Sequence, residues 1–248
     1  MLLRRSAVRS ELRAAMKRAR RSAPARSHPR SAPAPRAKTI RRPDLLVGEK
    51  LAREPSQKRS RIKRDAILGA AVELFERNGY EATAIGDITK RAGTSVGGFY
   101  QYFISKRQLL LVLMNELLQK LEQIDMQPSG QTDLKSAIES VLRAGLATDL
   151  AYAGAYRAWR EAMLSDRELA SLDILMRAWT TGRLRVVFQM LAHLPGARRG
   201  IDVALFAALM DRLFWDLLAS TLRSNPRLIG TLSHTIYHAL FQDSLLAR

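Results

Sequence analysis

Gly97, Tyr100 and Gln101 stand at positions i, i+3 and i+4 of a run that opens with Ser95, and Phe99 and Phe103 stand four apart within it. On a helix the first three share one face and the two phenylalanines share another. A short helix of this kind, apolar behind and free in front, is suited to enter a DNA major groove. That is recognition chemistry, and groups for bond-making are scarce. The chain has no cysteine, no phosphate-cradling glycine loop, no G-x-S-x-G and no H-E-x-x-H. Its carboxylates are scattered on helical faces that read as solvated, so no catalytic residue is assigned. His234 and His238, four apart, could present two imidazoles to a metal. The nearest carboxylate in sequence, Asp243, lies five residues on. No metal site is assigned, and an exposed or interface histidine pair is preferred.

The elements around this run must position it. Ile85, Ile88 and Ala92 share a helical face, with Thr83 where an N-cap belongs. Gly93 follows, where a chain leaving a helix needs positive φ. Ser95 can cap the next helix. Two short helices joined by so tight a turn have the layout of a helix-turn-helix, about 84–103. Gly97 and Gly98 inside so short a helix each cost about 0.8–1 kcal/mol relative to alanine, and a close backbone approach, to DNA or to the helix behind, would offset that. A first helix is expected over 61–78, with Ile67, Ala71, Leu74 and Phe75 as its buried stripe and Asn78-Gly79 ending it. The basic cluster Lys58–Arg64 before it reads as phosphate contact or as the solvated start of a helix. Ser105 opens the following helix, with Gln108 completing a capping box, and Leu110, Leu113, Leu117 and Leu121 follow helical spacing.

These residues carry a resemblance. Ile67, Ala71, Leu74, Phe75, Gly79-Tyr80, Thr83, Ile88, Ala92-Gly93, Ser95, Gly97 to Phe103, Ser105-Lys106 and Leu109-Leu110 resemble the DNA-binding domain of the tetracycline-repressor (TetR) family, over residues 61–121. The resemblance implies that the helix opened by Ser95 reads the major groove. Tyr100 and Lys106 would then touch phosphates, with Val96, Gly97, Gly98 and Gln101 nearest the bases and Thr83, Ala84 and Ser95 also at the DNA. Val96 stands where the family often has a polar or basic residue, and Gly86 where it often has a larger one. Thymine-methyl contact and DNA shape would then contribute more than hydrogen bonds to bases.

The formal net charge of the 248 residues is +18. Residues 1–55 hold sixteen Lys/Arg against four Asp/Glu, a net of +12, so the other 193 residues carry +6. Six of the nine prolines also lie there, and the segment is expected to be a disordered basic tail. It reads as a DNA-contacting arm, as a mis-assigned translation start with the true one at Met16 or later, or as a transit peptide. The most apolar stretch, 201–222, is broken by Asp202, Asp211, Arg212 and Asp216 and does not read as a membrane span.

Beyond 121 only helices are expected: 132–149, 152–164, a third opened by a capping box at Ser165-Asp166-Arg167-Glu168 and running to about 194, then 199–223 and 226–245. Residues 125–131 form a loop, Pro195-Gly196 a break, and Asn225 with Pro226 the start of the last helix. The fold class is all-α: about nine helices, a three-helix DNA-binding domain and, over 122–248, a helical ligand-binding and dimerisation domain. The helix over 199–223 is apolar nearly all round, and with 226–245 it could form a four-helix homodimer interface or simply complete a monomeric core. By the resemblance, the middle helices enclose a small-molecule effector, with Tyr156, Trp159, Met163, Met176 and Trp179 as candidate lining residues. Their spacing is also that of an ordinary core stripe. Arg157 and Arg160 could neutralise a ligand carboxylate, but water is preferred.

The expected function is a cytoplasmic, nucleoid-bound bacterial transcription regulator. It would be a repressor on a pseudo-palindromic operator, released by an effector that cannot be named from sequence, with no cofactor. The alternatives are a charge-driven, non-specific DNA-coating protein and, more weakly, an all-helical carrier or enzyme with a vestigial helix-turn-helix.

Overall fold

The computed structural model describes residues 41–51, 57–125, 134–219 and 227–241. Within them the chain forms α1 (Lys58–Asn78), α2 (Ile85–Arg91), α3 (Val96–Tyr100), α4 (Lys106–Glu122), α5 (Leu134–Ala151), α6 (Ala153–Ala162), α7 (Arg167–Ala192), α8 (Val203–Ala219) and α9 (Arg227–Leu240). Among the described residues no strand forms, and a single antiparallel bridge joins Ala197 to Phe241. The expected loop at 125–131 is described only at Asp125, and the N-cap Asn225 and Pro226 fall outside the described residues.

Helix ends follow local chemistry, with shifts from expectation at four starts; α1 begins at Lys58, three residues earlier than expected. Thr83 does not cap α2. Its side chain is buried and its hydroxyl donates to the Gly79 carbonyl at 2.6 Å. Ala84 takes the N-cap position, and the Asp87 carboxylate accepts from its N–H at 3.3 Å. The α7 cap is Asp166 rather than Ser165: its carboxylate accepts from the N–H groups of Glu168 and Leu169. A carboxylate binds these amides more strongly than a hydroxyl does, and its charge suits the helix N-terminus. Asp202 does the same for Ala204 and Leu205, so α8 starts four residues later than expected. Ser95, Ser105 and Gly93 act as expected: Ser95 accepts from Gly98 N–H, Ser105 from Gln108 N–H, and Gly93 has φ +66°.

Two cores result. One joins α1–α4 with α6 and the first half of α7, through Phe75, Phe99, Phe103, Leu117, Trp159 and Met176. It crosses position 121 without a seam. The other, around Ile138, Phe188, Met210 and Ile236, joins α5, α7, α8 and α9. Helix α6 lies so close on α1 that a Cβ on Gly154 would fall 1.8 Å from the Val72 carbonyl oxygen, so only glycine fits there.

The expectation of a tail without structure through residue 55 is corrected at residues 41–51. Leu45 is buried against α4, and Arg42 donates to the Asn115 side-chain oxygen at 2.7 Å and pairs with Glu122 at 3.2 Å. Glu49 pairs with Arg107 and accepts from the Gln108 amide. Leu45 and Leu46 break the basic composition and supply the anchor, while Val47 stays exposed. Residues 1–40 and 52–55 lie outside the described residues, and so do the readings attached to them.

Candidate nucleic-acid interface and effector cavity

The reading helix is held from behind and open in front. Phe99 and Phe103 are buried with ring centroids 5.6 Å apart. Val96 is 47 % and Tyr100 53 % exposed, and Gly97 and Gln101 are exposed as well. The two glycines have different reasons. A Cβ on Gly98 would lie 2.5 Å from the Thr94 hydroxyl, so crowding inside the turn favours glycine. Gly97 faces open space apart from the Ser95 hydroxyl at 3.9 Å, so nothing within the described molecule requires it. Ala84 is exposed at the start of α2, while the buried Thr83 side chain cannot reach a partner outside.

Lys106 differs from expectation. Its ammonium donates to the carbonyls of Tyr80 (2.6 Å), Thr83 (3.0 Å) and Glu81 (3.4 Å), and lies 4.3 Å from the Tyr80 ring centroid. These bonds turn it inward, onto the loop between α1 and α2. The same loop is held from its amide side by Glu161 of α6, which accepts from Tyr80 N–H at 2.7 Å and Glu81 N–H at 3.0 Å. Those two amides hold the Glu161 carboxyl below its ordinary range. Gly79, at φ +88°, leaves the space that Glu161 occupies. In the basic cluster, Arg64 is also turned inward, pairing with Glu116 at 2.8 Å.

A cavity of about 130 Å³ opens among α5, α6, α7, α8 and the end of α4. Tyr156 and Trp179 line it as expected. Trp159, Met163 and Met176 do not: Trp159 and Met176 are fully buried in the first core, Met163 packs on that core, and Trp159 donates to Asp173 at 3.0 Å. The close α1–α6 approach at Gly154 sets Trp159 and Met163 in the first core, and among the α6 residues Tyr156 lines the cavity, beside α5, α7 and α8. Arg157 and Arg160 are exposed and stay outside it. The wall also holds Asp149, Arg183, Asp211 and Trp215. Arg183 donates to the carbonyls of Leu121, Glu122 and Ile124, so it caps the C-terminal end of α4.

Residues 67–113 match the model described as bacterial regulatory proteins, tetR family. Over those residues the chain is similar to the DNA-binding domain of the TetR family. The HTH-type transcriptional regulator QacR of Staphylococcus aureus is 46% identical over 52 residues, which is 21% of this chain and 28% of that protein. The HTH-type transcriptional regulator YvdT of Bacillus subtilis is 36% identical over 81 residues, 32% of this chain and 42% of that one. The chain thus spans less than half the length of these two curated relatives. Among solved structures, the SmeT–triclosan complex superposes with a TM-score of 0.55 at 20% identity, covering 74% of this chain and 93% of that one, a likeness of fold.

Within the TetR family match lie the reading helix and the Lys106 side of the loop clamp; Glu161 and the cavity lie beyond residue 113. Sequence reasoning missed Asp149, Glu161, Arg183, Asp211 and Trp215. One signal was available for Asp211: a helix apolar nearly all round buries whatever charge it carries. Glu161 gave no signal, because its partners are backbone amides 80 residues away. The His234 and His238 rings lie 4.0 Å apart, and among the described residues no group of three metal-ligating side chains forms. Among the same residues no helix is long and apolar enough to cross a membrane.

Proposed function

We propose that the chain is a sequence-specific DNA-binding transcription regulator, a homodimeric repressor that leaves its operator when a small molecule fills the cavity. The observation that carries this is the outward face of α3, open at Val96, Gly97, Tyr100 and Gln101 while Phe99 fixes the helix from behind. Tyr100 supplies a phosphate contact, and Gly97 lets the backbone approach base edges closely. Reading two half-sites one turn apart needs two such helices about 34–36 Å apart, hence a dimer. The second helix of the interface is expected from α9, and the first from α8, where Leu205 and Leu209 are 68 % and 61 % exposed on one stripe.

Two connections tie the cavity to α3. Leu121 and Ile124 at the end of α4 line the cavity, and α4 starts at Lys106, which holds the loop before α2. Helix α6 carries Tyr156 at the cavity and, five residues on, Glu161 at the same loop. An effector that prefers one setting of α4 and α6 shifts the population toward it, by no more than its differential affinity for the two states.

The test is a band shift with the promoter of the chain's own gene. Tyr100→Ala and Gln101→Ala are each expected to weaken specific binding about tenfold or more, in line with ~1–3 kcal/mol per base or phosphate contact. Unchanged affinity in both would overturn the assignment of the reading helix. Removing residues 1–40 should leave specific binding in place. Its collapse would favour the charge-driven, non-specific alternative.

A further inference from the structure

Asp149 of α5 and Asp211 of α8 are carboxylates on the wall of a cavity that is otherwise aromatic and aliphatic. Among the described residues Asp149 accepts one hydrogen bond, from the Tyr156 hydroxyl at 2.9 Å. Asp211 is met by Thr180, Thr181 and Trp215. Of the nearby cations, Arg177 pairs with Asp173 at 2.7 Å and acts on Asp211 through space, and Arg183 caps α4 through three carbonyls. A carboxylate so placed is costly to ionise without a partner. Burial pushes Asp149 up to about 7 and raises Asp211 above its ordinary value. The charged and titratable groups that share the cavity wall with Asp149 are Tyr156 from α6, Arg183 from α7 and Asp211 from α8, with Arg177 acting on Tyr156 and Asp211; the α4 end contributes Leu121 and Ile124.

A second cavity of about 50 Å³ adjoins the first and shares Val141, Leu142, Leu184 and Phe214 with it. The rest of its wall, including Ile138, Phe188 and Ile236, is wholly apolar. One end of the combined space therefore presents carboxylates beside Trp179 and Trp215, and the other presents hydrocarbon. The indoles already attract guanidinium groups, Arg183 at 5.0 Å from the Trp179 centroid and Arg177 at 4.6 Å from that of Trp215.

We propose that the adjoining cavities bind a cationic amphiphile, its ammonium-type head against Asp149 and Asp211 and its hydrocarbon tail in the chamber of Ile138, Phe188 and Ile236. A head of this charge supplies the counter-ion that Asp149 lacks among the described residues, and an aromatic wall favours it further. An anionic head of the same size meets two carboxylates and an arginine already bonded. A neutral head leaves the carboxylates as they were. The inference rests on the effector reading above and narrows it to one class of effector.

The test uses the full chain and three probes with one tail: decyltrimethylammonium, 1-decanol and decanoate. Binding is read by calorimetry and by the fluorescence of the tryptophans, two of which line the cavity. The ammonium probe is expected to bind about tenfold or more tightly than the other two at pH 8. Its head does not titrate, so pH dependence reports the protein. Ionisation of a group near 7 makes binding about tenfold weaker at pH 6 than at pH 8. Asp149→Asn, which can still accept from Tyr156, should remove most of that pH dependence and weaken binding at pH 8 about tenfold. Decanol or decanoate binding as well as the ammonium probe overturns the inference, as does wild-type affinity in both Asp149→Asn and Asp211→Asn, or no binding of any probe. A band shift in the same samples separates the two readings. Release of DNA by decanoate or decanol sinks the cationic class and leaves the regulator, whereas tight ammonium binding with no operator affinity in any sample sinks the regulator and leaves the site.

Discussion

Lys106 and Glu161 grip one loop by its two kinds of backbone group, the ammonium on carbonyls and the carboxylate on amides. Both side chains act on the α1–α2 loop, so both are positioning residues for α3. Glu161→Gln keeps one acceptor but loses the charge, and is expected to cost about 1 kcal/mol and lower Tm by about 2–4 °C. Amide exchange at Tyr80 and Glu81 should quicken in this variant while exchange in α7 does not. Equal exchange in variant and wild type would contradict the clamp. Lys106→Met keeps the apolar stem and should weaken operator binding through loop disorder. Asp149 gives the pH signature of the cavity. Its folded-state value of about 7 lies above its ordinary 3.8, so the folded chain retains a proton that the unfolded chain releases near pH 4. The penalty is absent below about pH 4 and grows as pH rises to 7. Asp149→Asn should therefore melt higher than wild type at pH 8, by about 2 kcal/mol, with the gap closing toward pH 5. A gap that does not widen with pH would contradict the burial of this group. At this scale the caps at Ser95 and Ser105 were legible, because a cap bonds within four residues of itself. Lys106 and Glu161 were not, since spacing says which face a side chain takes but not what folds over that face.

At the scale of elements, the helices were legible from periodicity, and their ends were less so. Ser165 and Asp166 are adjacent candidates for one cap, and Asp166 also receives the Arg107 guanidinium at 2.7 Å, a long-range contact that sequence spacing does not show. Burial works to raise the Asp166 carboxyl, and Arg107 with the Leu169 and Glu168 amides outweighs it, leaving the carboxyl below its usual range. Residues 41–51 were hidden by the composition around them, because an average over 55 residues with sixteen Lys/Arg masks the two leucines that pack, Leu45 and Leu46. Their docking on α4 predicts that Leu45→Asp loosens the helix that spans head and cavity. Melting about 3–8 °C lower than wild type is expected from burying an unpaired charge, on a scale of ~2 kcal/mol. Unchanged melting would mean that the segment is not held on α4 in solution.

At the scale of the whole molecule, the exposed Leu205 and Leu209 stripe of α8 is the surface proposed above to meet a second copy. Leu209→Glu should shift sedimentation from dimer to monomer and lower operator affinity by about tenfold or more, since a single reading helix holds only one half-site. The amphipathic logic of α8 was visible in sequence as an excess of apolar faces. Which face packs inward and which stays open was not, because both sides read as leucine-rich. The same ambiguity put Trp159 and Met176 on the cavity wall, when both are buried in the first core, Trp159 on a helix that the Gly154 contact holds against α1.

The most direct test of the central claim is a hydroxyl-radical footprint of the full chain on the promoter of its own gene. Two protected patches related by symmetry and centred about 10–10.5 base pairs apart, or a multiple of that, are expected, both lost in a Tyr100→Ala, Gln101→Ala double variant that still sediments as wild type. Uniform protection along the fragment, or two patches that survive in the double variant, would contradict it.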